Sequence, residues 1–190
     1  MNKLEDYIKV FPNMIDSTVC QDTINDVIKK PLKKSTFKDY NENAISKVGE
    51  EERYEFHPTE SEQLITTPLL MKIIWDSVHN YYSYYNLPHW KEWNGYTTPK
   101  INIYKPSSIM SRHVDHITGV FDGDRKGIPT LSIVGLLNDD FTGGEFVMFD
   151  NLEIKLNKGD VLVFPSIFLY PHEVKPIKTG TRFSMVSWVW

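Results

Sequence analysis

Hydrophobic and polar positions change their rhythm near residue 95. Upstream, Val19, Cys20, Thr23, Ile24, Val27 and Ile28 recur at helical steps and form one stripe. Asp16 or Ser17 supplies an N-cap for that helix, and Pro31 stops it. Ahead of it, Tyr7-Ile8-Lys9-Val10-Phe11 reads as a short strand closed by a turn at Pro12-Asn13. A second helix begins near Thr67-Pro68 and buries Leu70, Ile73, Ile74, Val78, Tyr81, Tyr82 and Tyr85; Trp75 and His79 read as packing residues. Residues 31–62, with Glu50-Glu51-Glu52, lack a period and read as loop with one edge strand around 53–56.

From residue 96 the runs become short and β-rich: 100–104, 130–137, 145–149, 152–156, 160–165, 173–175 and 183–190. Turn signals separate them, among them Thr142-Gly143-Gly144 and Asn157-Lys158-Gly159-Asp160. Closely spaced short strands after two helices predict a mostly β, α+β chain: a jelly roll buttressed by N-terminal helices on one face. The expected organisation is one domain over 1–190, with helical support about 1–95 and a jelly-roll core about 96–190.

Composition narrows the partners. A chain of 190 residues with 41% apolar and 24% charged residues can bury one core. Its net charge of -4 argues against nonspecific nucleic-acid binding, which needs a basic face. Cys20 is the lone cysteine, so neither an intramolecular disulfide nor a cysteine zinc site is available, and its helical stripe predicts a buried thiol. No window has the length of a membrane span, and Met1 to Lys9 is charged where a signal peptide is apolar. The expectation is a cytoplasmic protein with no membrane partner.

Candidate chemistry begins at His113-Val114-Asp115. On a strand, residues two apart share a face, so an imidazole and a carboxylate would converge. With six histidines in the chain, about 0.4 such pairs are expected by chance, so the pair alone equally describes a solvated loop. His172, 57 residues beyond Asp115, completes two histidines and one carboxylate, the facial set of non-haem iron oxygenases. Zinc accepts the same ligands. Arg182 follows ten residues after His172 with Ser184 on the same face, and this pair could grip a carboxylate. A zinc hydrolase has no use for such an anchor inside its barrel, whereas a 2-oxoglutarate oxygenase has.

The stretch from Tyr104 onward resembles the prolyl 4-hydroxylase-like branch of the 2-oxoglutarate/Fe(II) oxygenases. Tyr104-Lys105-Pro106, with His113-Val114-Asp115 beginning nine residues after the tyrosine, matches its opening motif. Leu137-Asn138-Asp139-Asp140-Phe141-Thr142-Gly143-Gly144-Glu145 matches its central segment. Lys158-Gly159-Asp160-Val161-Leu162-Val163-Phe164-Pro165, His172-Glu173-Val174-Lys175-Pro176 and Gly180-Thr181-Arg182-Phe183-Ser184 then follow in the family's order.

The resemblance implies a double-stranded β-helix with Fe(II) on His113, Asp115 and His172. It implies 2-oxoglutarate as co-substrate, its far carboxylate on Arg182 with Tyr104 and Ser184 as further donors, together with O2 and ascorbate as reductant. The implied activity is hydroxylation of a C–H bond with release of succinate and CO2, on a proline-containing protein or peptide. Two alternatives stand beside it: the same chemistry on a free amino acid or small metabolite, and a metal-binding jelly roll without catalysis. Arg182 stands where animal-type relatives place lysine, and Met110 where many place a second tyrosine near the substrate. Four further features are placed more loosely. His116 alternates away from Asp115, and the segment 121–128 is either a loop over the pocket or a solvated turn. Trp188 shares the parity of Arg182 and faces the pocket, with Trp190 covering the core, and Trp90, Trp93 and Tyr96 form either a substrate platform or a packing cluster.

Overall fold

The computed structural model describes residues 2–35, 53–87, 95–115 and 127–190, with the backbone of 37–38 and 44–45. Its N-terminal part opens with a 3-10 turn at Leu4–Tyr7, then β1 (Lys9–Phe11). Tyr7 and Ile8, expected in that strand, precede it. Helix α1 (Ser17–Val27) starts where the Asp16 carboxylate accepts the Thr18 N–H at 2.7 Å. It buries Cys20, Thr23 and Val27, but Ile28 falls past the last turn and is 57% exposed, which corrects its expected place in the stripe. Two-residue strands β2 (Lys33–Lys34), β3 (Phe37–Lys38) and β4 (Ala44–Ile45) precede β5 (Arg53–Phe56). Helix α2 (Thr67–Tyr85) has a proline in its first turn and ends at Asn86 in the left-handed region. It buries Leu70, Ile74, Val78 and Tyr81 as its periodicity predicts.

Strands β6 (Lys100–Tyr104), β7 (Met110–His113), β8 (Leu131–Leu136), β9 (Thr142–Gly143) and β10 (Phe146–Met148) follow. The chain closes with β11 (Leu152–Ile154), β12 (Val161–Pro165), β13 (His172–Val174), β14 (Ile177–Thr179) and β15 (Arg182–Val189). A seven-stranded sheet runs β1-β12-β8-β15-β6-β5-β2, and a four-stranded sheet runs β11-β10-β13-β7; every pair is antiparallel. β5 was expected at an edge, but β2 covers it, leaving Lys33 and Lys34 on the rim, where charge discourages further pairing.

The larger sheet is buried on both faces, which is why β8 and β12 read as continuous apolar runs. One face carries Ile101, Ile103, Ile133, Val161, Val163 and Met185 against the two helices. The other carries Tyr104, Val134, Leu162, Phe164 and Val186 against Phe146, Met148 and Val174 of the smaller sheet. The outcome is the expected jelly roll with helices on one face, its second apolar layer lying between the sheets. The candidate site residues sit in or beside that layer.

Candidate metal and carboxylate site

His172 opens β13 and pairs in register with His113, the last residue of β7. A register shift then sets Val174 opposite Met110, so three steps along β7 match two along β13. This bulge turns Met110 and His113 into the same interior, where plain alternation would separate them. Asp115 is not on a strand. It lies in a bend two residues past β7, and a side-chain contact rather than strand parity brings it home. Its Oδ2 accepts from Ser132 Oγ at 2.6 Å, and Ser132 Oγ lies 2.6 Å from Ser166 Oγ.

The other carboxylate oxygen, Oδ1, lies 3.5 Å from His113 Nε2 and 3.7 Å from His172 Nε2. Nδ1 of His113 faces the Ser111 carbonyl at 2.8 Å, and Nδ1 of His172 faces that of Tyr170 at 3.1 Å. Carbonyls only accept, so each Nδ1 carries a proton, and each Nε2 faces the Asp115 carboxylate, offering a lone pair when its ring is neutral. Two imidazole nitrogens and one carboxylate oxygen thus lie within 4.8 Å of one another, an arrangement able to hold one divalent ion. Phe146 stacks on the His172 ring at 5.3 Å and Phe164 meets it edge-on at 5.1 Å, keeping that side dry. Burial alone would raise the Asp115 pKa, but the His113 hydrogen bond and both histidine charges, which act while those rings are protonated, together with Ser132 outweigh it and hold the carboxyl well below its ordinary value. Burial lowers the His172 pKa, with Asp115 partly opposing, which favours the neutral ring that a metal requires.

The second cluster sits deeper between the sheets. Arg182 begins β15 opposite Tyr104 of β6, and Ser184 lies opposite Asn102. Nη1 of Arg182 donates to Ser184 Oγ at 3.0 Å, and its guanidinium carbon lies 5.4 Å from the centre of the Tyr104 ring. Arg182, Ser184 and Tyr104 are 2%, 1% and 2% exposed. Asn138 clamps the start of this strand: Nδ2 donates to the Thr181 carbonyl at 2.7 Å and Oδ1 accepts the Phe183 N–H at 2.7 Å. Gly144, at φ +68, leaves room for Arg182, whose Cδ would stand 3.2 Å from an added Cβ. A cavity of about 290 Å³ has Arg182 in its wall, together with Leu136, Gly144 and Phe146, the ring that stacks on His172. His113, Asp115 and His172 do not line that cavity; what joins the clusters is the apolar layer between the sheets, where Tyr104 beside Arg182 shares one core with the Phe146 and Phe164 rings that meet His172.

Three residues enter without a prior role. Ser132 holds Asp115, Asn138 holds Arg182, and Arg53 is 1% exposed on β5 in register with Tyr104. Only Asn138 had a sequence signal, through its matched segment. Trp188 lies on the pocket-side layer as expected, with Lys100 Nζ 5.4 Å from its ring. Tyr96 packs instead against α2: its hydroxyl donates to the Met71 carbonyl at 3.1 Å and its ring lies 6.5 Å from Trp75. Trp90, Trp93, His116 and 121–126 lie outside the described residues. Among the described residues, no helix is long and apolar enough to cross a membrane.

A jelly roll that carries two histidines, an aspartate and a buried arginine between its sheets has the architecture of a non-haem iron oxygenase. Residues 99–190 match the family model of the 2OG-Fe(II) oxygenase superfamily. A PKHD-type hydroxylase of Acinetobacter baumannii is 37% identical over 97 residues, covering 48% of this chain and 42% of that protein. One from Crocosphaera subtropica is 41% identical over 91 residues, covering 45% and 39%. This chain thus spans about two-fifths of the length of the curated relatives it matches. Among solved structures, the prolyl hydroxylase of Trichoplax adhaerens, in complex with a hypoxia inducible factor peptide, superposes with a TM-score of 0.71 at 17% identity, covering 97% of this chain and 83% of that one. A Pseudomonas putida prolyl-4-hydroxylase gives 0.61 at 17% identity, covering 96% and 91%. Residues 99–190 are thus similar in sequence to the 2OG-Fe(II) oxygenase superfamily, and the chain shares the fold of prolyl hydroxylases.

Proposed function

We propose that this protein is an Fe(II)- and 2-oxoglutarate-dependent dioxygenase that hydroxylates a C–H bond, its substrate a prolyl residue in a protein or peptide. The observation that carries the reading is the pair of clusters beside one inter-sheet layer: the converging donors of His113, Asp115 and His172, and Arg182 with Ser184 and Tyr104. The donor set fits the metal, because carbonyls hold the Nδ1 proton of both histidines and turn Nε2 toward the site, and Ser132 fixes the Asp115 carboxylate beside them. Iron, 2-oxoglutarate and dioxygen together supply the oxidation, releasing succinate and CO2 while one oxygen atom enters the substrate.

The chain's own residues set the geometry. Arg182 and Ser184 receive the far carboxylate of the co-substrate, and Tyr104 offers its hydroxyl beside them; burial raises the Tyr104 pKa, with Arg182 opposing, so the phenol stays protonated and can donate. Phe146 and Phe164 exclude water from the His172 side. The peptide reading draws support from the likeness to the Trichoplax prolyl hydroxylase, whose structure contains a peptide. Succinate formation from 2-oxoglutarate is expected to need added Fe(II), with ascorbate sustaining it, and to vanish in His113→Ala and Asp115→Ala. Turnover persisting in either variant would remove the site assignment.

A further inference from the structure

Between β12 and β13 the chain crosses from the larger sheet to the smaller one, through residues 166–171. Both ends of this crossing hold candidate metal ligands. At its start, Ser166 Oγ lies 2.6 Å from Ser132 Oγ, the group that donates to Asp115. At its end, the Tyr170 carbonyl faces His172 Nδ1 at 3.1 Å. The loop between is fixed from within. Ile167 packs against the inter-sheet core, the Tyr170 N–H donates to the Ile167 carbonyl at 3.0 Å, and the buried Tyr170 hydroxyl donates to the Leu4 carbonyl at 3.1 Å. The tip of this braced loop carries Phe168 and Leu169, 65% and 41% exposed.

Ile167 and Tyr170 make the inner contacts of the loop, so Phe168 and Leu169 put apolar surface into water without adding to the core. Exposed Ile128 lies two residues before Thr130, whose carbonyl accepts the Ser166 N–H at 3.1 Å. Neighbouring apolar side chains left in water mark a place of contact with another molecule. Charge narrows what that molecule presents. Residues 166–171 carry none, and Arg112, beside His113, is paired with Asp150 at 2.9 Å. The matching group is therefore apolar and uncharged. Length narrows it further: a small molecule seated at the metal donors ends among buried side chains, whereas a polypeptide with one residue there continues out past the loop that braces them. We infer that Phe168 and Leu169 form an apolar lip, which binds an apolar side chain flanking the hydroxylated residue of a polypeptide substrate. This rests on the oxygenase reading.

The test is calorimetric, on protein loaded with Mn(II) and 2-oxoglutarate so that no turnover occurs. Binding of 2-oxoglutarate is measured first; its failure in the wild type overturns the oxygenase reading and this inference with it. Three capped pentapeptides follow: Gly-Leu-Pro-Ser-Gly, Gly-Ser-Pro-Leu-Gly and Gly-Ser-Pro-Ser-Gly. At least one leucine peptide is expected to bind about tenfold or more tighter than the serine peptide, the scale of burying one such side chain. The one preferred shows on which side of the target the lip acts. In a Phe168→Ser, Leu169→Ser double variant the preference falls to within about twofold, while Mn(II) and 2-oxoglutarate affinities hold. Phe168→Leu, which stays apolar, keeps most of it. Ile65→Ser, at an exposed apolar residue just ahead of α2, leaves it unchanged. The inference is overturned if neither leucine peptide is preferred, if the preference survives in the double variant, or if Ile65→Ser removes it equally. It is overturned as well if Mn(II) affinity falls alongside the preference, which would assign the loop to holding His172.

Discussion

Ser132→Ala probes how Asp115 is held. The Ser132 hydroxyl donates to Asp115 Oδ2 at 2.6 Å, with the two residues 0% and 4% exposed. A buried hydrogen bond to an ionised group contributes roughly 1.5–3 kcal/mol, and each 1.4 kcal/mol is a factor of ten. Losing it frees a carboxylate that has no strand to fix it, so metal affinity is expected to fall about 10- to 100-fold, the usual scale for residues that orient a ligand. The assay is Mn(II) titration by calorimetry at neutral pH, with thermal melts confirming an intact fold. Ser166→Ala is the control, since Ser166 touches Ser132 and not the carboxylate. In an Asp115→Ala background the Ser132 substitution should add little, because the two act through one contact. A Ser132→Ala protein that binds Mn(II) within about twofold of wild type would refute the claim that this contact positions Asp115.

Three further outcomes follow from other parts of the structure. Arg182→Met should weaken 2-oxoglutarate binding by tenfold or more, on the order of one charge-assisted contact, while Mn(II) affinity changes little; parallel loss of both would mean that the arginine supports the fold instead. Gly143→Ala places a Cβ against the Pro176 carbonyl and 2.9 Å from the Lys178 nitrogen at φ +76, so a melt should show destabilisation on the order of 1–3 kcal/mol. Glu55 titrates well below its ordinary value of 4.5: burial opposes this, but the His57 hydrogen bond, Lys100, Ser35 and Arg53 outweigh it. A depressed folded pKa gives stability that is present above the unfolded value and lost as pH falls below it. The stability gap between wild type and Glu55→Gln should therefore narrow from pH 6 to pH 3, and a constant gap would contradict the assignment.

The strands that the sequence exposes best are those buried on both faces. Residues 100–104 coincide with β6, and the runs around β8 and β12 are bounded to within one residue at each end. β7 escaped because a bulge breaks the alternation of Met110-Ser111-Arg112-His113, and the same bulge is what points His113 inward. The shared face assumed for His113 and Asp115 therefore reached the right cluster by the wrong geometry. A hydroxyl 17 residues away supplies the missing constraint, and no local pattern carries that contact. Arg182 was legible from its spacing to His172. Arg53 was not: beside Glu55 it reads as the solvated side of an edge strand, and only the register with Tyr104 places that side indoors.

The central claim is that one interior holds a metal at His113, Asp115 and His172 and the far carboxylate of 2-oxoglutarate at Arg182. A crystal structure with Mn(II) and 2-oxoglutarate, grown without oxygen, tests it most directly. The account predicts metal density bonded to Nε2 of both histidines and to an Asp115 oxygen, with the co-substrate running from it to the Arg182 guanidinium beside Ser184 and Tyr104. Metal bound elsewhere, or a co-substrate whose far carboxylate lies away from Arg182, would contradict it.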